Sequence, residues 1–257
     1  MEHLRPLSLQ QKISVMKTPL LYKAHDLNKA PRDEVFKQVN GEFSSRLPLQ
    51  RLKPHKWLSD EIINAFYIIL SIRSSMCGEN DLFLSTFFFE QLLDKNGTGK
   101  LNYEKVKKLL KEKSALDFRR IFVPINDGKD HWSFIFCIVN EKKIIYFDSI
   151  KTRRKKGKEY TTAFFDFLMK DREKHSEHSA LNKGEWTLIT AADIPTQPND
   201  CDCGIFLCAL SDILSLRENA MMPNEFSTLE LNQYRELLAL WLERLEVVFI
   251  ASIHFFR

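Results

Sequence analysis

Between Trp57 and Ile72 the chain reads WLSDEIINAFYIILSI, with apolar residues at Leu58, Ile62, Ile63, Phe66, Ile69 and Leu70. That spacing lays side chains along one face of a helix. Ser59 and Asp60 stand at its start as candidate N-terminal caps. The same periodicity predicts a second helix across LFLSTFFFEQLL (82–93) and a third across YEKVKKLLKEK (103–113). Strand signals then take over. IFVPI, HWSFIFCIV and KIIYFDS are short β-branched and aromatic runs separated by NDGKD and NEKK, which have the composition of turns. HWSFIFCIV is apolar on both alternating faces and is expected as a central strand covered on both sides. TTAFFDFLMK returns to a helical pattern and WTLIT reads as one more strand. A helix from near Cys203 and a last helix through YRELLALWLERLE close the chain. The order predicts an α+β or α/β domain with a small central sheet flanked by helices.

The chain has 257 residues, enough for one large domain or a domain of roughly 200 residues with extensions. Its 8 glycines and 9 prolines are scattered, so composition marks no internal linker. The first residues, MEHLRPLSLQQ, lack the apolar run of a secretory signal. Stretches such as AFYIILSI fall short of the roughly 20 residues that span a bilayer, so a soluble chain without membrane partners is expected. Five cysteines at irregular positions (77, 137, 201, 203, 208) do not form a disulfide framework and suit a reducing, intracellular compartment. A net charge of +4 does not by itself imply a nucleic-acid partner. Charge is dense only in KTRRKKGK (151–158), which reads as a solvated loop or as a nuclear-import or polyanion patch.

DKNGTGKLNYEK (94–105) nearly fits a calcium loop, with Asp94, Asn96, Thr98 and Gly99 in place, but Lys105 stands where a bidentate carboxylate closes the site. A hydrophilic turn is the expectation, and no metal or cofactor is expected. Zinc would need a second ligand pair beside Cys201 and Cys203, and a redox centre would need two residues between them rather than one. A nucleophile fits better. Cys203 precedes Gly204 and the apolar run IFLCALSDILSL, so its thiol would stand at a helix N-terminus, where main-chain N–H groups stabilise the thiolate.

A cysteine nucleophile needs a base, and the base an orienting group. His131 opens the predicted central strand, and Asp148 ends the next one at YFDS. Antiparallel pairing across NEKK would set the two side by side. The residues alone leave this Cys203/His131/Asp148 arrangement and a merely structural strand-end histidine as alternatives.

WLSDEIIN, FLSTFFFEQL, VPINDGKDHWSF with YFDS, EWT at 185–187 and QPNDCDCGIF occur in one order, with 17 residues from His131 to Asp148 and six from Gln197 to Cys203. In these motifs the chain resembles the ubiquitin-like-modifier proteases of the sentrin/SUMO-specific protease family, over roughly residues 32–246. The resemblance implies a papain-like α+β fold with a small mixed sheet. It covers a catalytic domain (32–246) and leaves outside it an N-terminal extension (1–31) and an apolar tail (247–257). In this reading Cys203 is the nucleophile, His131 the general base and later acid, Asp148 its orienter, and Gln197 an oxyanion-hole donor. Trp57 and Trp132 match aromatics flanking a tunnel for a Gly-Gly terminus, and Asp60 matches a position that binds a basic residue of the modifier. Trp186 is read as packing. Cys201 falls where the family usually has a small residue and is read as a bystander whose thiol is able to trap a sulfenic acid.

The implied activity is removal of SUMO from conjugates, or trimming of its precursor, by a monomeric enzyme of the nucleus or cytoplasm. The alternatives are the same chemistry on ubiquitin or another modifier, an acetyltransferase on the same fold, and a non-catalytic module that binds the modifier.

Overall fold

The computed structural model describes residues 48–93, 101–110, 113–128, 130–175, 182–216 and 225–255, with side chains of the last helix described to Glu243. The chain divides into two compact units, Cys77–Ala192 and Met1–Met76 with Asp193–Arg257.

The first of these units holds the sheet. Strands β1 (Asp81–Phe83), β2 (Arg120–Asn126), β3 (Trp132–Ile138), β4 (Lys143–Phe147) and β5 (Thr187–Thr190) lie in sequence order. β2, β3 and β4 are antiparallel, whereas β1 and β5 join the edges in parallel. The turn between β3 and β4 places Lys142 at φ 53°. All seven residues of β3 are buried, as its two-sided apolar pattern requires. A layer of aromatic side chains packs on the sheet. Phe88 and Phe89 come from a short helix α1 (Phe88–Leu92), Tyr103 from α2 (Tyr103–Val106), and Tyr160, Phe164 and Phe167 from α3 (Gly157–His175). Each such ring contributes about 1.5–3 kcal/mol on full burial. The fully buried Asp171 of α3 accepts hydrogen bonds from Tyr103 Oη (2.8 Å), Ser114 Oγ (2.6 Å) and Ala115 N–H (2.7 Å), fixing these three residues to that helix. α3 begins at a glycine for lack of space. A Cβ on Gly157 would lie 2.1 Å from Thr190 Oγ1 and 2.8 Å from Tyr146 Cδ1.

The other unit is helical among its described residues: a 3-10 turn at Leu49–Leu52, α4 (Asp60–Met76), α5 (Cys203–Leu216) and α6 (Thr228–Phe255). Phe66 of α4 stacks on Trp241 of α6 with ring centroids 6.1 Å apart, and Tyr67 Oη lies 2.9 Å from Ser211 Oγ of α5. Ser227 and Glu230 form a reciprocal cap at the start of α6, with Ser227 N–H donating to Glu230 Oε2 (2.9 Å) and Glu230 N–H to Ser227 Oγ (3.3 Å). α6 continues to Phe255, so the apolar run after residue 246 carries helical backbone. No helix among the described residues is long and apolar enough to cross a membrane.

Four local expectations need correction. LFLSTFFFEQLL is not one helix, since its first residues join the sheet edge as part of β1 and only Phe88–Leu92 coils. A short apolar run carries no period that separates strand from helix, and here pairing with Arg120–Phe122 decides. YEKVKKLLKEK is α-helical only to Val106 and tightens to 3-10 over Lys107–Leu110. KTRRKKGK is a 3-10 turn over Lys151–Lys156 running straight into α3. Ser59 gives its carbonyl to Ile63 N–H at 3.2 Å, but its buried hydroxyl makes no hydrogen bond, so it caps through the main chain alone. The N-terminal extension and the calcium-like residues 94–100 lie outside the described residues.

Candidate active site

Sequence-predicted site residues fall in both units. In the sheet unit, Phe134 pairs with Phe147 across β3 and β4. One further step along that register sets Asp148 opposite Ser133, diagonal to His131 and on the same face. His131 Nε2 lies 2.8 Å from Asp148 Oδ1, and both side chains are buried. A carboxylate only accepts, so Nε2 carries the proton and the ring's other nitrogen, Nδ1, is left for proton transfer. The Asp148 carboxylate is held by two further donors, Tyr146 Oη to Oδ2 and Ile150 N–H to Oδ1, each at 2.8 Å. Burial, and then the neighbouring Asp148 charge, push the Tyr146 phenol far above its ordinary pKa, so it keeps the proton it donates. Trp132, the first residue of β3, is buried beside this pair. Trp186 packs on Phe165 with centroids 5.8 Å apart, in keeping with a structural role.

In the helical unit, Cys203 is the first residue of α5, a 14-residue helix, and is 1% exposed. Cys203 therefore stands at the helix end where main-chain N–H groups, not carbonyls, are left without intrahelical partners. The preceding loop is built on Asn199. Its Oδ1 accepts from Cys201 N–H (3.0 Å), Asp202 N–H (3.0 Å) and Cys201 Sγ (3.2 Å), and its Nδ2 donates to Asp202 Oδ2 (2.6 Å). Asp202 Oδ1 in turn meets Arg235 Nη2 of α6 at 2.5 Å, while Arg235 Nη1 donates to the carbonyls of Arg51 (3.4 Å) and Lys53 (3.3 Å). Gln197 Nε2 donates to Asn199 O at 2.5 Å. Trp57, 43% exposed, donates Nε1–H to Asp200 O at 3.1 Å, and Asp60 opens the first turn of α4. Trp57 and Gln197 thus both donate to main-chain carbonyls of the loop that leads to Cys203.

The two thiols of CDC differ in setting. Cys201 is committed to Asn199, and burial followed by the Asp202 charge raises its pKa, which disfavours its thiolate. Burial also holds Cys137 and Cys208 well above the ordinary thiol range.

Gly204 is required by close approach. A Cβ there would lie 2.9 Å from Leu58 Cβ and 3.1 Å from its Cγ. Alanine ordinarily improves a helix over glycine by about 1 kcal/mol, whereas overpacking costs about 1–3 kcal/mol, so the clash outweighs the propensity gain. Gly204→Ala is expected to lower the urea midpoint of unfolding; an unchanged or raised midpoint would contradict the packing.

Sequence reasoning missed Tyr146, Asn199, Asp202 and Arg235. Tyr146 was findable, since it lies two residues before Asp148 and so on the same strand face. Asn199 in PNDC carries the sequence preference of an Asx turn. Nothing near Arg235 in sequence points to Asp202, 33 residues away.

The sequence model of the Ulp1 protease family, C-terminal catalytic domain, matches residues 56–237. Sentrin-specific protease 2 of Rattus norvegicus is 33% identical over 192 residues, covering 74% of this chain and 31% of that protein. The chain therefore spans about a third of the length of that relative. Among solved structures, the SUMO protease Ulp1 with its catalytic cysteine oxidised to a sulfinic acid superposes with a TM-score of 0.61 at 22% identity, covering 85% of this chain and 94% of that one. The C-terminal Ulp1 protease domain in complex with Smt3, the yeast ortholog of SUMO, gives 0.55 at 21% identity, covering 94% and 97%. These likenesses establish the fold, an α+β arrangement of the papain-like cysteine protease type, as the motifs implied.

Proposed function

Because this chain belongs to the Ulp1 protease family, we propose that it is a cysteine protease that cleaves the bond after the Gly-Gly terminus of SUMO, in conjugates or in the precursor. The observation that carries the reading is the buried His131–Asp148 hydrogen bond, in a chain whose Cys203 opens a buried helix. His131 Nδ1 takes the Cys203 proton, and the thiolate attacks the carbonyl carbon of the terminal glycine. The oxyanion that forms receives a hydrogen bond from Gln197 Nε2; loss of one such donor typically costs about 10²- to 10³-fold in kcat. His131 then gives its proton to the departing lysine amine. Water, deprotonated by the same imidazole, hydrolyses the thioester and returns the thiol. Asp148 fixes the tautomer and stabilises the imidazolium.

Trp57 and Trp132 flank the path of the modifier's C-terminus, where glycines fit because they carry no side chain. Asp60 pairs with a basic residue on the modifier's globular face. The chemistry draws on side chains alone, and the thiol suits a reducing compartment, the nucleus or the cytoplasm.

The test is intact-protein mass after exposure to C-terminal electrophile probes of SUMO and of ubiquitin. One SUMO adduct is expected. A ubiquitin adduct in its place would keep the mechanism and replace the substrate, and no adduct on folded, reduced protein would overturn the protease reading.

A further inference from the structure

The basic run KTRRKKGK has no part in the chemistry above, and the structure divides it in two. Lys151, Lys155 and Lys158 are exposed, as a solvated charge run requires, whereas Arg153 and Arg154 are half-buried and turned onto neighbouring main chain and carboxylates. Arg154 Nε donates to the main-chain carbonyl of Asp148 at 2.9 Å, and its Nη1 donates to Ala192 O at 2.6 Å. Arg153 Nη1 meets Asp127 Oδ2 at 2.5 Å, and its Nη2 lies 3.5 Å from Asp130 Oδ1. Asp127 is itself tied to the histidine, because its N–H donates to His131 O at 3.2 Å. Its carboxylate is 8% exposed and also faces Lys156 Nζ at 3.9 Å. Two consecutive arginines therefore reach the two ends of one hydrogen bond, Arg154 at the backbone of Asp148 and Arg153, through Asp127, at the backbone of His131.

We propose that Arg153 and Arg154 are positioning residues for the Asp148–His131 pair, holding the acid and the base at their working distance. The inference rests on the protease reading for its consequence in turnover, but not for its geometry. The physical ground is the loop itself. His131 precedes the first residue of β3 and Asp148 follows the last of β4, so both stand where strand gives way to loop. A guanidinium fork donates along two directions at once, which lets Arg154 bridge Asp148 O and Ala192 O; an ammonium lacks that planar fork. Misplacement of a catalytic group by about 1 Å can cost on the order of 10²-fold in rate.

The test compares wild type with Arg154→Ala, Arg154→Lys and Arg153→Ala. With a SUMO C-terminal amide, Arg154→Ala is expected to lower kcat about 10- to 100-fold at unchanged KM, and Arg154→Lys to restore only part of the loss. In an Asp148→Asn background the same Arg154→Ala substitution is expected to cost little more, because it acts through Asp148. Proton NMR of the His131 ring supplies a readout that needs no turnover. The hydrogen-bonded Nε2 proton is expected to broaden or move upfield in Arg154→Ala and in Arg153→Ala, with the remaining amide spectrum unchanged. Full kcat, an unmoved ring proton, or losses that simply add to that of Asp148→Asn would overturn the inference. A wild-type protein that cleaves no modifier, yet whose ring proton responds to Arg154→Ala, would uphold it and sink the protease reading instead.

Discussion

Cys203→Ser is expected to lower turnover of a SUMO-derived amide by about 10⁵- to 10⁶-fold, the scale seen when a triad nucleophile is removed, while modifier affinity is retained. A serine hydroxyl titrates far above a thiol, so the imidazole of His131 would generate almost no nucleophile from it at neutral pH. In the proposed reading binding falls to other groups, Trp57, Trp132 and Asp60, which the substitution leaves in place. Serine also fits the 1%-exposed site without new volume, so folding is not at stake. Cys201→Ser is the control. Its thiol is held by Asn199 and its pKa is raised, so it makes a poor nucleophile, and the variant is expected to keep turnover. The measurement is steady-state hydrolysis beside binding of intact SUMO by calorimetry. Turnover surviving in Cys203→Ser and vanishing in Cys201→Ser would reverse the assignment. Affinity unchanged in both, with no turnover even in wild type, would favour a binding module.

How far the chain could be read in advance depended on where each constraint is stored. The central strand was legible because burial on both faces writes an unbroken apolar run, and the β3–β4 turn was legible from NEKK. Together they place Asp148 beside His131 from the sequence alone, and the register delivers that contact. β1 was not legible. Its three residues become a strand only because Arg120–Phe122 lie alongside, a partner 39 positions away. The start of α3 misled for a related reason, since a run of cations carries no sign of the carbonyls and carboxylates that will receive it. Glycine was informative in two places. Gly157 and Gly204 mark contacts too close for a Cβ, but which side chain approaches is visible only in the fold. The polar support of the site follows the same rule: Tyr146 sits within two residues of the acid it serves, whereas Arg235 reaches Asp202 from another helix.

That last contact carries the second large effect. Arg235 is 1% exposed and Asp202 4%, so the pair is an ion pair taken almost entirely out of water. Such pairs add little net stability over apolar residues of the same shape, yet removing one partner strands the other charge and typically costs about 3–5 kcal/mol. Arg235→Met is therefore expected to destabilise the protein on that scale, read as a fall in the urea midpoint. It leaves the Asp202 carboxylate with Asn199 alone and withdraws a donor from Arg51 O and Lys53 O. Because Asp202 directly precedes Cys203, loss of its anchor also loosens Cys203, and labelling by the SUMO probe is expected to slow in the fraction that remains folded. Adding Asp202→Asn removes the stranded charge while keeping an oxygen for Asn199 Nδ2, so the double variant is expected to be more stable than Arg235→Met alone. If the double variant is instead less stable by the sum of the two single losses, the pair is not coupled and the loop is held by Asn199 rather than by the guanidinium of α6.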